Sequence, residues 1–336
     1  MIRVEPFQTP SAFDQLAEEW DALLRRSAMD TIFLTPAYQR TWWRHLGQGD
    51  LLLLAVREGE ELVGVAPLFL TEQEGRRVLQ TVGCVEVSDY LDWVLAPGRE
   101  EEVLAALLDF LNGSLTWDAI DLCNIHRDSP TLALFPALAR GRGWSVRTEV
   151  QEVCPVVDLP ETWEAYLASL GRKDRHELRR KMRRAEAMEG LRWYIVGPEH
   201  DLETEMEAFL RLMAASTPEK AAFLTPPMRA FFKELARATF EAGWLQLAFL
   251  EVEGRRIASY LNFVYDNRVL VYNSGLDWQT YPSLGAGIVL TGFLIRHAIE
   301  EGREAYDFLR GSEPYKHRLG GKDVTVHRVL IERERR

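Results

Sequence analysis

Three strand-like runs, residues 244–252, 257–265 and 268–274, are separated by the turn pairs Glu253-Gly254 and Asp266-Asn267. Two-residue connections of this chemistry join neighbouring antiparallel strands, because Gly, Asn and Asp tolerate the positive φ that such hairpins need. The third run leads through a loop into Pro282-Ser283-Leu284-Gly285-Ala286-Gly287, followed by the apolar Ile288-Val289-Leu290. The pattern predicts a meander feeding a helix with a glycine-rich first turn. The first amides of a helix have no partners within it, and the helix dipole adds partial positive charge there. Glycine at that place lets a diphosphate reach the backbone with no Cβ in the way. Asn273, Ser274, Leu284, Gly285, Ala286 and Gly287 are therefore expected to bind a phosphorylated ligand.

Around the meander, helical spacing covers 162–188 with a break near Gly171, the segment around Met206–Met213, and a helix opened by Pro226 and Pro227. A strand at 191–196 lies between the first of these and the other two; strands at 305–309 and 324–331 and a short helix at 313–319 close the chain. The N-terminal half repeats this order. Helices after Ser11 and over 36–45 precede strands at 51–56, 62–70, 77–83 and 90–95. A helix at 100–111, a strand at 119–125, a helix after Pro130 and a strand-rich passage at 146–159 follow. Glu58-Gly59-Glu60-Glu61-Leu62 parallels Glu253-Gly254-Arg255-Arg256-Ile257, and Trp117-Asp118-Ala119-Ile120-Asp121 parallels Arg303-Glu304-Ala305-Tyr306-Asp307, in the same order. With 336 residues, more than one core usually spans, the chain is expected to hold two domains, 1–158 and 159–336. The expected fold class is α/β, of the α+β kind: two tandem modules, each a mostly antiparallel mixed sheet flanked by helices. The N-terminal counterpart of the glycine loop, Pro97-Gly98-Arg99-Glu100-Glu101-Glu102, puts three carboxylates in the first helical turn and would repel a diphosphate.

No apolar run reaches the roughly 18 residues of a membrane span, and the N-terminus lacks a signal-peptide core, so a cytoplasmic protein is expected. Cys84, Cys123 and Cys154 form no metal or redox pattern, and Cys123 and Cys154 read as buried thiols in apolar strands. The histidines have no ligand spacing, so no metal is expected. The net charge of −11 argues against general nucleic-acid binding. One segment departs from it: residues 172–184 hold eight Lys or Arg against two acidic residues. At 100° per residue Arg175, Arg179 and Arg183 share a face with Arg172, and Lys173, Arg180 and Arg184 share another. Arg175, Arg179 and Arg183 are the candidate contacts to an anionic partner, against the plainer reading of a helix paired with acidic residues elsewhere.

The stretches 173–181 (KDRHELRRK), 283–287 (SLGAG) and 306–318 (YDFLRGSEPYKHR), set in this element order, resemble the GNAT acyltransferases. More narrowly, residues from about 160 to 320 are similar to the CelD-like acetyltransferase domain of cellulose biosynthesis, and to the Fem transferases that add amino acids to peptidoglycan precursors. The resemblance implies an N-acyltransferase that moves an acyl group, acetyl first, from acyl-CoA to an amine by direct attack, with the N-terminal module degenerate. The acceptor would be an anionic small molecule or cell-envelope precursor. Backbone amides of the 268–274 strand would stabilise the oxyanion, Asp307 would be the base, and Tyr315 would protonate the leaving thiolate. Arg310, Lys316 and Arg318 would hold an anionic substrate or donor phosphate. Pro282 departs from the polar residue usual at the start of the acyl-CoA loop and removes an amide from the cradle. A Fem-type aminoacyl-tRNA donor, making tRNA a partner, is therefore the second expectation, and a non-catalytic binding protein on the same fold the third.

Overall fold

The computed structural model describes residues 2–84 and 87–333. The chain divides into two units: one runs to Val153 and resumes at Val324, and the other is Cys154–Asp323. The last strand therefore belongs with the first unit, whereas the sequence groups it with the segment it follows.

The first unit begins with β1 (Ile2–Phe7), α1 (Ala12–Gln15), α2 (Ala17–Leu24) and α3 (Pro36–Leu46). Then come β2 (Asp50–Glu58), β3 (Glu61–Gln73), β4 (Arg76–Thr81), β5 (Val94–Leu95), α4 (Glu100–Ser114), β6 (Ala119–His126), α5 (Pro130–Arg140) and the start of β7 (Ser145–Asp158). The second unit holds α6 (Trp163–Ser169), α7 (Arg172–Glu186), β8 (Leu191–Ile195), α8 (Leu202–Ser216), α9 (Pro218–Phe223) and α10 (Pro226–Glu241). It continues through β9 (Leu245–Val252), β10 (Arg255–Tyr265), β11 (Arg268–Leu276), α11 (Ala286–Glu300), β12 (Ala305–Asp307) and α12 (Pro314–Arg318) to β13 (Lys322–Glu332), which leads back to the first unit. Strand β1 and helix α9 were not anticipated: β1 is a half-exposed edge without clean alternation, and α9 is six residues long. Thr35, Ser129, Thr217 and Thr225 each precede a proline at the first helical position and accept the amide three residues on.

In the first unit the strands lie in the order β1-β2-β3-β4-β6-β13, with β5 beside β3. In the second they lie in the order β12-β11-β10-β9-β8, and Val156–Asp158 of β7 pair with β12. Each unit has one parallel pair among these: Val78, Leu79 and Gln80 of β4 face Ala119, Ile120 and Asp121 of β6. Likewise Arg268, Val269 and Leu270 of β11 face Ala305, Tyr306 and Asp307 of β12. Both first hairpins carry a bulge just past the turn, at Val63 and at Ile257. The two sequence matches thus fall on equivalent places of two similar modules.

Two expectations need correction. Cys123 is not a thiol; it is joined to Cys84 in a disulfide, and Cys154, which is buried, takes no part in one. This pairing spans 39 residues and is a tertiary contact that spacing does not announce. The strand expected at 90–95 shrinks to β5, because the preceding backbone is tied into irregular contacts: Leu91 donates to the Asn124 carbonyl, and the Asn124 side chain donates to the Ser88 carbonyl.

The core of the second unit is built on α11, whose apolar residues pack against α6, α7 and the meander. Helix α7 offers it a narrow stripe, Leu178, Met182 and Ala185, at helical spacing. A Cβ on Gly292 would lie 2.9 Å from Met182 Sδ and 3.1 Å from Leu178 Cδ1, so glycine lets α7 lie this close along α11 without those side chains giving way. That close approach brings the basic helix to the glycine loop.

Candidate functional site

A cleft of about 1220 Å³ opens beside the start of α11. Its walls are residues Arg172–Leu178, Arg179 and Lys181 of α7, Trp278 of the loop after β11, Gly285 and Ile288 of α11, and Tyr315, Arg318 and Leu319 of and just beyond α12. Gly285 caps α11 in the left-handed conformation, φ 67°, which is why glycine stands there. A Cβ on it would meet Lys181 Nζ at 2.6 Å. Arg184 donates to the Ser283 carbonyl at 3.2 Å and to its hydroxyl at 3.0 Å. The loop therefore combines the unpaired first-turn amides of a helix with a lysine ammonium laid against the glycine. These groups fit a diphosphate.

Of the residues expected to bind the phosphorylated ligand, Gly285 lines the cleft, while Leu284, Ala286 and Gly287 are buried at the helix start. Gly287 is needed for packing as well: its Cβ would press within 3.2 Å of Leu276 and 3.6 Å of the Tyr260 hydroxyl. Asn273 and Ser274 lie on β11 outside the lining, with the Asn273 side chain accepting the Ser274 amide at 3.1 Å. Arg175, Arg179 and Arg318 are cleft residues; Arg183 is not, and its guanidinium turns back to the Arg179 carbonyl. Lys181 was missed. The signal was available in the apolar stripe, since Lys181 directly precedes Met182 and so borders the buried face.

Parallel pairing between β11 and β12 stops at Leu270 and Asp307, while β11 runs on to Leu276. In that overhang Ser274 O accepts from Lys220 Nζ at 2.5 Å, and the Leu276 amide donates to Ser216 Oγ at 2.7 Å. Helices α8 and α9 thus hold main-chain groups that a strand would otherwise take. Lys220 also donates to Ser274 Oγ at 3.1 Å, and burial lowers its ammonium pKa to about 8, opposed by the nearby Glu313 carboxylate. Register slips between Leu261 and Asn262 opposite this stretch, leaving Tyr272 as a bulge.

Below the opening, the Tyr260 hydroxyl interacts with those of Tyr315 and Thr291, and the Thr291 hydroxyl donates to the Gly287 carbonyl at 2.8 Å. Burial pushes both phenols above their ordinary range, so both keep their protons at neutral pH. Glu313, with a half-exposed side chain, acts electrostatically on Lys220, Tyr260 and Tyr315 and pairs with Lys316 at 2.9 Å. Lys220, Tyr260 and Glu313 were not singled out by the sequence, because each reaches the others only through the fold.

Asp307 and Lys316 serve the loop after β12. Asp307 is 1% exposed and accepts the Leu309 amide at 2.7 Å. Leu309 has φ 54°, a conformation that costs a non-glycine residue energy. Lys316, buried at 3% exposure, donates to the carbonyls of Leu309, Arg310 and Gly311 at 3.3, 2.7 and 3.0 Å. A base must reach a proton on the acceptor and a substrate-binding lysine must meet the substrate; these two are turned instead into a strained turn. Arg310 lies in that turn, outside the cleft lining.

Residues 172–317 match the family model described as the acetyltransferase (GNAT) domain. The second unit thus carries a GNAT-type transferase domain. The chain is similar in structure to FemX, with a TM-score of 0.68 at 15% identity over 97% of this chain and 96% of that one. It is also similar to the C-terminal domain of a protein described as a lysylphosphatidylglycerol synthetase from Agrobacterium fabrum (TM-score 0.57, 13% identity, 95% and 92% covered). A tandem GNAT protein from the clavulanic acid biosynthesis pathway is a third such structure (TM-score 0.53, 11% identity, 99% and 100% covered). At these identities the three structures establish the fold, a tandem GNAT architecture. Comparison with the curated proteins gives no significant match. Among the described residues, no helix is long and apolar enough to cross a membrane.

Proposed function

We propose that the second unit transfers an acyl group, acetyl first, from acyl-CoA to the amine of an anionic acceptor, a small molecule or cell-envelope precursor, in the cytoplasm. One observation carries this reading: Lys181 is laid against Gly285 at the first turn of α11, beside the gap where β11 outruns β12. A diphosphate held at the first would bring an acyl group to the second.

The donor supplies an activated thioester carbonyl. The chain's part is to hold, orient and move protons. Lys181 and the first-turn amides of α11 bind the diphosphate. Tyr315, protonated and on the cleft wall, can give its phenolic proton to the departing sulfur, with Tyr260 behind it to share the charge. Glu313 replaces Asp307 as the candidate base, since its carboxylate is accessible and adjoins the same tyrosine. Lys220 fixes the Ser274 carbonyl and so the course of the overhanging strand.

Calorimetric titration with acetyl-CoA tests the donor. Binding by the wild type and loss of roughly tenfold or more in Lys181→Glu is expected, since charge reversal replaces an attraction with a repulsion. Unchanged affinity in the folded variant would sink the reading. The similarity to FemX and the proline at 282 favour a second reading, with aminoacyl-tRNA as donor. Transfer of labelled amino acid from charged tRNA to an amine, with no acetyl-CoA binding, would select it.

A further inference from the structure

Where β11 outruns β12, its other edge stays paired with β10: Tyr260 lies opposite Ser274, Ser259 opposite Gly275 and Ala258 opposite Leu276. In an antiparallel pair the amide and carbonyl of one residue point to the same edge, and residues two apart point alike. The Asp277 amide donates to Ile257 of β10 at 2.9 Å, so Ser274 and Leu276 turn the other way, into the gap that β12 leaves. There the Leu276 amide meets Ser216 Oγ at 2.7 Å, and the Ser274 carbonyl meets Lys220 Nζ at 2.5 Å. Lys220 therefore stands where a further strand would lie. A Cβ on Gly275 would come within 2.5 Å of the Met213 amide nitrogen, so glycine lets α8, and α9 directly after it, close on the strand.

The chain has six lysines, all between 173 and 322, and the surroundings of this one differ from those of the rest. Lys233 pairs with Glu203 and Glu207, Lys316 with Glu313, and the exposed Lys322 with Asp158. Lys173 and Lys181 line the donor cleft, where Lys181 pairs with Glu177 at 3.5 Å. Lys220 meets two uncharged oxygens instead, the Ser274 carbonyl and, at 3.1 Å, its hydroxyl. Burial holds its pKa near 8, against the pull of Glu313, so a sizeable fraction is free amine at mildly alkaline pH. A free amine keeps two N–H donors and one lone pair. The two Ser274 oxygens can take both donors and leave the lone pair for attack.

We propose that Lys220 Nζ is an acyl acceptor carried by the chain itself, a self-acylation site in the gap where a thioester would be presented. This rests on the acyl-CoA reading and goes beyond it, since the product is a modified protein. The lone pair of the neutral amine attacks the thioester carbonyl and a C–N bond forms. The C–S bond breaks with its electron pair going to sulfur; the nitrogen gives up one proton and the thiolate takes one up. The products are an Nζ-acyl-lysine and the free thiol. The amide has one N–H and no charge where the ammonium had three N–H, so the hold on Ser274 loosens. Acylation also fills the gap that an acceptor amine would enter.

Peptide mass spectrometry after brief exposure of the full chain to acetyl-CoA tests this, because six lysines are few enough to follow one by one. Acetylation of Lys220 is expected to lead that of the exposed Lys322 by about tenfold or more, as a reaction within one complex should. Its rate constant should not change with protein concentration, and Lys181→Glu should slow it roughly tenfold at low acetyl-CoA by weakening donor binding. Unfolding the chain in urea should bring the six lysines to similar rates. Modification led by another lysine, or a lead of Lys220 that survives in urea, would overturn the proposal. S-acetyl-N-acetylcysteamine, a thioester without the nucleotide, separates this proposal from the reading it rests on. If that thioester labels Lys220 first while acetyl-CoA neither binds nor labels, Lys220 stands as an acyl acceptor and the acyl-CoA reading falls. If acetyl-CoA binds in the calorimeter and neither thioester favours Lys220, the donor reading stands and the self-acylation site falls.

Discussion

Lys181 Nζ lies 2.6 Å from the point where a Cβ on Gly285 would sit, so any side chain there must push the lysine aside as well as adopt a left-handed φ of 67°. Gly285→Ala is expected to cost about 1–2 kcal/mol of stability from its positive φ and to displace the lysine, weakening acetyl-CoA binding roughly tenfold. Gly98 in the first unit has φ 77° and open space around its Cβ position, so Gly98→Asp should cost similar stability and leave donor affinity within about twofold. Melting and titration of both variants check this; a matching loss of affinity in Gly98→Asp would put the donor site in the wrong unit.

The basic helix divides its arginines between cleft and solvent. Arg175→Gln with Arg179→Gln is expected to weaken CoA by about 1 kcal/mol in all, an effect that fades as salt rises, with little change in melting temperature. Arg183→Gln, off the cleft, should bind as the wild type does. Titrations at two salt concentrations decide it, and a loss confined to Arg183 would show that the anion lies further along the helix than the cleft lining.

Lys220 makes stability depend on alkaline pH. Its folded pKa of about 8 lies below the 10.5 of an ordinary lysine, so between those values the unfolded chain binds more protons and stability rises with pH. The contribution is at most about 3 kcal/mol. Relative to Lys220→Met, which lacks the titration, the wild type should gain melting temperature from pH 8 to 10.5. A constant difference across that range would show that the buried amine does not titrate there.

Asp92 acts with the opposite sign at acid pH. Burial raises its carboxyl to about 6 against 3.8 for an ordinary aspartate, despite hydrogen bonds from Ser129 and the Trp93 amide. Between about pH 4 and 6 the folded protein binds the extra proton, so stability is lost as pH rises through that window, by at most about 3 kcal/mol. Asp92→Asn should therefore gain on the wild type from pH 4 to 6 and hold its advantage above. A melting-temperature difference that stays constant from pH 4 to 6 would refute the assignment.

What residue order alone determined is local. The turn pairs 253–254 and 266–267, the break at Gly171, the glycine-rich start of α11 and the matching order of the two halves all follow from contacts within a few residues, where hairpin geometry, capping and periodicity act directly. Only the tertiary structure decided which groups meet. Periodicity puts Arg175, Arg179 and Arg183 on one side of α7, but the depth of the Leu178-Met182-Ala185 stripe against α11 decides that Lys181 reaches the glycine and Arg183 does not. Lys220 finds Ser274 across 54 residues, Cys84 finds Cys123 across 39, and the final strand pairs with β6 rather than with its sequence neighbours. Asp307 sits on the expected strand, yet the left-handed turn at Leu309 takes up its carboxylate. A side chain's role depends on the polar and apolar groups brought to it by distant segments, and that information is absent from its own neighbourhood in the chain.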